Sequence, residues 1–143
     1  GVAAVIHRPR RGLGGLLGET EVLLLLRQGG AGNGTWAPPG GAVEQEDVAK
    51  GGDVLGEAAQ REVMEEVGLR VRPLPHGRVI VGHITDGQPW VCVHVPCELV
   101  DDSTPRICEP TKAAALGWFP AAALPSPLFE PAAAPGALTW PGP

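Results

Sequence analysis

Apolar positions in this chain fall in two kinds of pattern. Residues 1–7 (GVAAVIH) and 21–27 (EVLLLLR) are nearly unbroken apolar runs. Runs this short, flanked by Gly and Pro, predict strands buried on both faces rather than helices. Between them RPRRGLGGLLGET reads as a loop, with Arg8, Arg10 and Arg11 solvated on it. Residues 34–44 (GTWAPPGGAVE) place Pro38, Pro39, Gly40 and Gly41 in succession, a combination that stops regular structure and forms a rigid turn. Residues 54–67 (VLGEAAQREVMEEV) have helical composition, with Asp53 at the N-cap position and Gly68 at the stop. At helical spacing Ala59, Val63 and Val67 form one apolar stripe, and Glu62, Glu65 and Glu66 converge on the neighbouring face. Residues 68–85 and 89–100 read as strands, the second alternating Val91, Val93 and Val95 with Trp90, Cys92 and His94. His83 and His94 are expected as ordinary sheet residues. From Pro120 onward Ala and Pro take turns, which predicts one short helical turn and then a loose tail. The succession of strands, helix and strands predicts an α/β fold. It fills a single domain over 1–124, followed by a poorly ordered tail over 125–143.

At 143 residues and 43% hydrophobic content the chain can build one real core. Eleven basic against 16 acidic side chains, net −5, exclude a non-specific nucleic-acid binder held by its own cations. A phosphate-bearing ligand would need metal ions to mediate. Cys92, Cys97 and Cys108 are odd in number and lack paired zinc-type spacing, which fits a reducing, cytoplasmic compartment. The run Val22 to Leu26 is too short to cross a bilayer, so no membrane partner is expected. Gly1 opens the chain inside an apolar stretch, as in a fragment of something longer.

Three acids on one helical turn repel one another by a few tenths of a kcal/mol per pair. Arg61 can pair with Glu65 at i,i+4, and a divalent cation can bridge all three acids. An oxygen-only set suits Mg²⁺ or Mn²⁺. The alternative is a solvated acidic face with no task. The preceding Pro-Gly-Gly turn weighs against it, because its exposed carbonyl can complete a metal site.

The segment 40–69, GGAVEQEDVAKGGDVLGEAAQREVMEEVGL, resembles the signature of the Nudix hydrolases, G-x5-E-x7-R-E-U-x-E-E-x-G-U with U apolar. Arg61, Glu62, Val63, Glu65, Glu66, Gly68 and Leu69 match its second half. In the first half the acid expected before Arg61 is read as Asp53, which makes the spacing from Gly41 six residues longer. The extra residues are assigned to a loop, QEDVAKGG. TWAPPGG and EPTKAAALGWFP are similar to further segments of that family, the second to its nucleotide-sanitising branch, so that residues 1–124 are covered.

The resemblance implies an α/β/α sandwich with a mixed β-sheet and the carboxylate helix packed on it. It implies Mg²⁺-dependent hydrolysis, with Mn²⁺ able to substitute, of a nucleoside diphosphate linked to another group. Carried over, the Gly40 carbonyl, Glu62, Glu65 and Glu66 form the metal shell, and Arg61 orients the acids. Glu62 or an outside carboxylate serves as base, and Glu109, on the loop before ALGWF, is the outside candidate. Arg27 is expected near phosphate, Trp90 stacks on a base or lies in the core, and Trp36 lies in the core. The ADP-ribose branch of the family commonly has a Pro where this chain has Ile84, Thr85 and Asp86, and the dinucleoside-polyphosphate branch a Tyr, which this chain lacks. The leading expectation is therefore a nucleoside triphosphate cleaved to monophosphate and pyrophosphate by a monomer or homodimer. A nucleotide- or protein-binding module without turnover, and a hydrolase of ADP-ribose or another nucleotide sugar, are the alternatives.

Overall fold

The computed structural model describes residues 1–10 and 19–141. Arg11 and the last two residues lie outside them. Among the described residues there are eight strands: β1 (Val2–Pro9), β2 (Thr20–Arg27), β3 (Trp36–Ala37), β4 (Gly40–Gly41), β5 (Val71–Pro73), β6 (Val79–Thr85), β7 (Gln88–Leu99) and β8 (Ala113–Pro120). Two helices, α1 (Gln45–Ala49) and α2 (Val54–Val67), stand between β4 and β5. A 3-10 turn follows at Glu130–Ala133. This is the α/β fold with a mixed sheet that the sequence predicts.

β1 ties the sheet together. Its first half runs parallel to β7, from Val2 opposite Val93 to Ile6 opposite Cys97. Its second half turns to β2 and pairs antiparallel, His7 opposite Val22. β8 and β3 pair with β2, β5 and β6 pair with β7, and β4 pairs with the start of β1, Val2 opposite Gly41. The short Gly-Gly strand is thereby pinned to the same end of β1 that meets β7.

The unbroken apolar runs are explained by cover on both faces. Leu23 and Leu25 of β2, with Ala4 and Ile6 of β1, pack under Ala59, Val63 and Val67 of α2. The alternate residues Val5, Val22 and Leu24 face Ala132, Leu138, Leu128 and Phe129. Over its described part, residues 125–141, the second cluster stands against the expectation of a loose tail over 125–143. Trp36 N–H donates to Pro127 and Phe129 N–H to Trp36, and Ala132, Ala137 and Leu138 are buried. Proline forbids a long helix there, yet the segment forms the cover over the sheet face that α2 leaves open.

Arg8 and Arg10 are more committed than a solvated loop would make them. Arg8 lies on β1, pairs with Glu21 and covers the Trp118 ring at 4.2 Å, and Arg10 pairs with Glu19. Among the described residues no helix is long and apolar enough to cross a membrane.

His7 and His94 are both buried in the sheet, as expected for His94, and burial pushes both imidazoles down to about 4. Each is neutral in the folded protein and protonates first in the unfolded chain. The histidines' contribution to stability therefore falls as pH drops from about 6.5 to about 4, with a slope of up to about 1.4 kcal/mol per pH unit for each. Urea unfolding at pH 7, 6 and 5 should show His94→Leu differing from the native chain by up to that slope, the variant losing less stability toward low pH. An unchanged slope in that variant would refute the assignment.

Candidate active site

α2 begins as the sequence predicts. Asp53 caps it by accepting from Gly56 N–H at 3.1 Å, and Gly68 ends it in the left-handed conformation at φ 69°. The helix lays Glu62 against the Gly-Gly strand. A Cβ on Gly41 would come within 2.4 Å of a Glu62 carboxylate oxygen, so any other residue there would push that carboxylate out of its place. Gly40 N–H donates to Glu66 at 3.4 Å.

Arg61 is the hub. Its guanidinium donates to Asp47 (3.1 Å from Nε and from Nη2), Glu62 (3.0 Å), Glu65 (3.2 Å) and the Ala42 carbonyl (2.8 Å). Its side chain is 9% exposed and that of Asp47 is fully buried. Arg61 holds the Asp47 carboxyl below the usual carboxylate range. Asp47 also accepts from Glu44 N–H at 2.9 Å, in a capping box that starts α1.

Two expectations change here. Asp53 does not serve Arg61: it caps α2 and pairs with Arg78 instead. Asp47 is the acid that meets Arg61, and five residues separate it from Gly41, the spacing of the signature's first acid. Residues 48–60 then separate it from Arg61, 13 where the signature has 7, so the six extra residues follow the acid rather than precede it. QEDVAKGG is likewise not a plain loop, because its first five residues are α1.

Glu62 and Glu66 meet side by side. Burial raises both carboxyls, and their mutual contact takes Glu66 to about 8, with Glu109 adding to the repulsion. Glu109 reaches the pair because its segment is zipped to the end of α2: Arg106 N–H donates to Val67 and Cys108 N–H to Glu66. One Glu109 oxygen pairs with Lys112 at 3.3 Å, while the other is buried without a partner. Glu65 is half-exposed on the Arg61 side.

Arg27 ends β2 beside this cluster. Burial lowers its pKa while the Glu66 carboxylate opposes that shift, and its guanidinium lies 4.3 Å over the Phe129 ring. Phe129 meets His83 edge-on at 6.0 Å, and His83 stands opposite Trp90 in the β6–β7 pair. Trp90 is 54% exposed, which excludes the core position. Trp36 is half-buried against Phe119, edge-on at 4.9 Å, within the second core cluster.

Among the described residues no three His, Cys, Asp or Glu side chains already surround one point as metal ligands would. The donors nevertheless fit a hard divalent cation. All are oxygens, two acids share a buried contact with no cation between them, and Glu109 turns an unpartnered oxygen inward.

The family model of the NUDIX domain matches residues 4–139. The chain belongs to the Nudix hydrolase family. A MutT NUDIX hydrolase from Burkholderia pseudomallei is 30% identical, with 89% of this chain and 88% of that chain covered and a TM-score of 0.62. An Ap4A hydrolase from C. elegans, solved as a binary complex, is 21% identical over 82% and 77% of the two chains, with a TM-score of 0.61. A MutT protein from Methanosarcina mazei Go1 is 22% identical over 82% and 73%, with a TM-score of 0.57. The last two share the fold with this Nudix chain. The family match extends through the segment expected to be a tail.

Sequence reasoning missed three residues near this site. Asp47 was legible from its distance to Gly41, whereas Lys112 and Phe129 carry no local signal.

Asp47 and Asp53 are separable by stability. Asp47→Ala strands a buried guanidinium and should cost about 3 kcal/mol, whereas Asp53→Ala loses an exposed N-cap worth about 1 kcal/mol. Chemical denaturation of both variants would reveal the reverse order if Asp53 were the partner that matters.

Proposed function

We infer that this Nudix hydrolase cleaves nucleoside triphosphates to the monophosphate and pyrophosphate in a Mg²⁺-dependent reaction, with Mn²⁺ able to substitute. The observation that carries this reading is the carboxyl pair of buried Glu62 and half-buried Glu66, with Glu109 beside it and a Gly-Gly strand against Glu62. Glu62, Glu65, Glu66 and the Gly40 carbonyl would hold the cation. When bound, the cation neutralises polyphosphate charge and acidifies coordinated water. Arg61 contributes by fixing the rotamers of Glu62 and Glu65 rather than by touching substrate.

Glu109 approaches from a different chain segment than α2, so it can take a proton from a water attacking phosphorus in line. The water oxygen bonds to phosphorus, the anhydride P–O bond breaks, and the leaving phosphate carries the electron pair away. Arg27 supplies positive charge beside the acids. Trp90, with His83 and Phe129 between it and Arg27, offers an aromatic surface on which a base can stack while its phosphates point toward Glu66.

A panel of nucleoside triphosphates and nucleotide sugars, incubated with Mg²⁺ and resolved by chromatography, tests the reading. Monophosphate and pyrophosphate are the expected products, and binding across the panel without turnover would overturn it. Glu66→Gln should cut turnover by orders of magnitude with the fold intact, and Glu109→Gln should lower it by less. Trp90→Ala should raise KM by about tenfold, the loss of one stacked base, with kcat nearly unchanged. Equal KM values would remove Trp90 from the substrate site.

A further inference from the structure

We propose that Lys112 is an internal counter-cation of the acid cluster, which competes with the divalent cation and so sets the metal affinity of the substrate-free enzyme. Among the described residues Arg61, Arg27 and Lys112 bring cations near Glu62, Glu66 and Glu109. Arg61 is 9% exposed and locked among carboxylates. Arg27 lies over Phe129 and donates to Ala31 O. Lys112 differs from both: its Nζ is 3.3 Å from a Glu109 oxygen, yet its side chain is 68% exposed.

The backbone fixes where that ammonium starts. Lys112 N–H and Ala113 N–H both donate to the Glu109 carbonyl, and Gln28 N–H donates to the Lys112 carbonyl. Lysine and glutamate therefore share one tight turn at the mouth of the site. Glu109 acts most strongly on the ammonium, and the fields of Glu62 and Glu66 also reach it. A single positive charge at that place lowers the attraction of the cluster for a doubly charged ion. The exposed stem lets the ammonium swing into water with little desolvation cost once the ion arrives.

This proposal rests on the metal-binding reading above, and the experiment separates the two. Mn²⁺ is titrated into the substrate-free protein and free ion is followed by electron paramagnetic resonance, for the native chain, Lys112→Met and Lys112→Arg. Methionine keeps the length of the stem and removes the charge, and should tighten Mn²⁺ binding by about tenfold, as expected from a unit charge within several Å of a divalent ion at the screening of a protein surface. Arginine keeps the charge and should leave the affinity within about twofold of native. Equal or weaker binding by Lys112→Met, with native binding intact, would overturn the counter-cation role alone. Absence of Mn²⁺ binding by the native chain would overturn the metal-site reading and this proposal with it.

Discussion

The acidic end of the molecule depends on a guanidinium withdrawn from water. Burying a cation costs several kcal/mol unless its charge and hydrogen bonds are matched, and Arg61 is matched by the fully buried Asp47, by Glu62 and by the Ala42 carbonyl. Those partners come from three places: the short helix α1, the body of α2 and the chain leaving β4. The same contacts that neutralise Arg61 therefore dock α1 and the Gly-Gly strand onto α2. Glu62 inherits its position from this arrangement, between Arg61 on one side and the open backbone of Gly41 on the other.

The remaining acids stand where a helix least favours them. Glu62, Glu65 and Glu66 occupy the C-terminal part of α2, where the macrodipole is negative, and no basic residue lies in the last turn. Part of this cost is offset from outside the helix. Backbone donors from Arg106 and Cys108 satisfy the last carbonyls, and the Arg106 guanidinium lies close enough to Gly68 that a Cβ there would approach Nη1 at 2.8 Å. The residue is an electrostatic deficit, which a small hard cation is suited to fill. The segment that caps the helix also delivers Glu109, so helix termination and site assembly are one event in this fold.

Much of this was legible because local signals agreed. α2 carried a cap, a stop and an apolar stripe, and the runs in β1 and β2 were unbroken because both faces are covered. α1 was less visible: five residues followed by Gly51 and Gly52 look like a loop, and its one buried acid is surrounded by exposed ones. The segment after Pro120 misled for a different reason. Proline frequency reports which regular structures are forbidden, whereas the burial of Leu138 and Ala132 depends on a sheet face contributed by β1 and β2 more than 100 positions earlier. For Trp90 local reading left base stacking and core both open, since alternation places it on a face of β7 without telling how far that face is covered.

β1 belongs to two pairings at once, with β7 along its first half and β2 along its second. Ala4 faces Val95, 91 positions later. Closing that loop costs chain entropy before any contact repays it, and topologies built on such pairings fold slowly. The Gly-Gly strand is hydrogen-bonded to the same first half of β1. The chemistry of this enzyme is thus anchored to a long-range contact in its sheet, so a newly made chain acquires its acidic pocket only after β7 has left the ribosome.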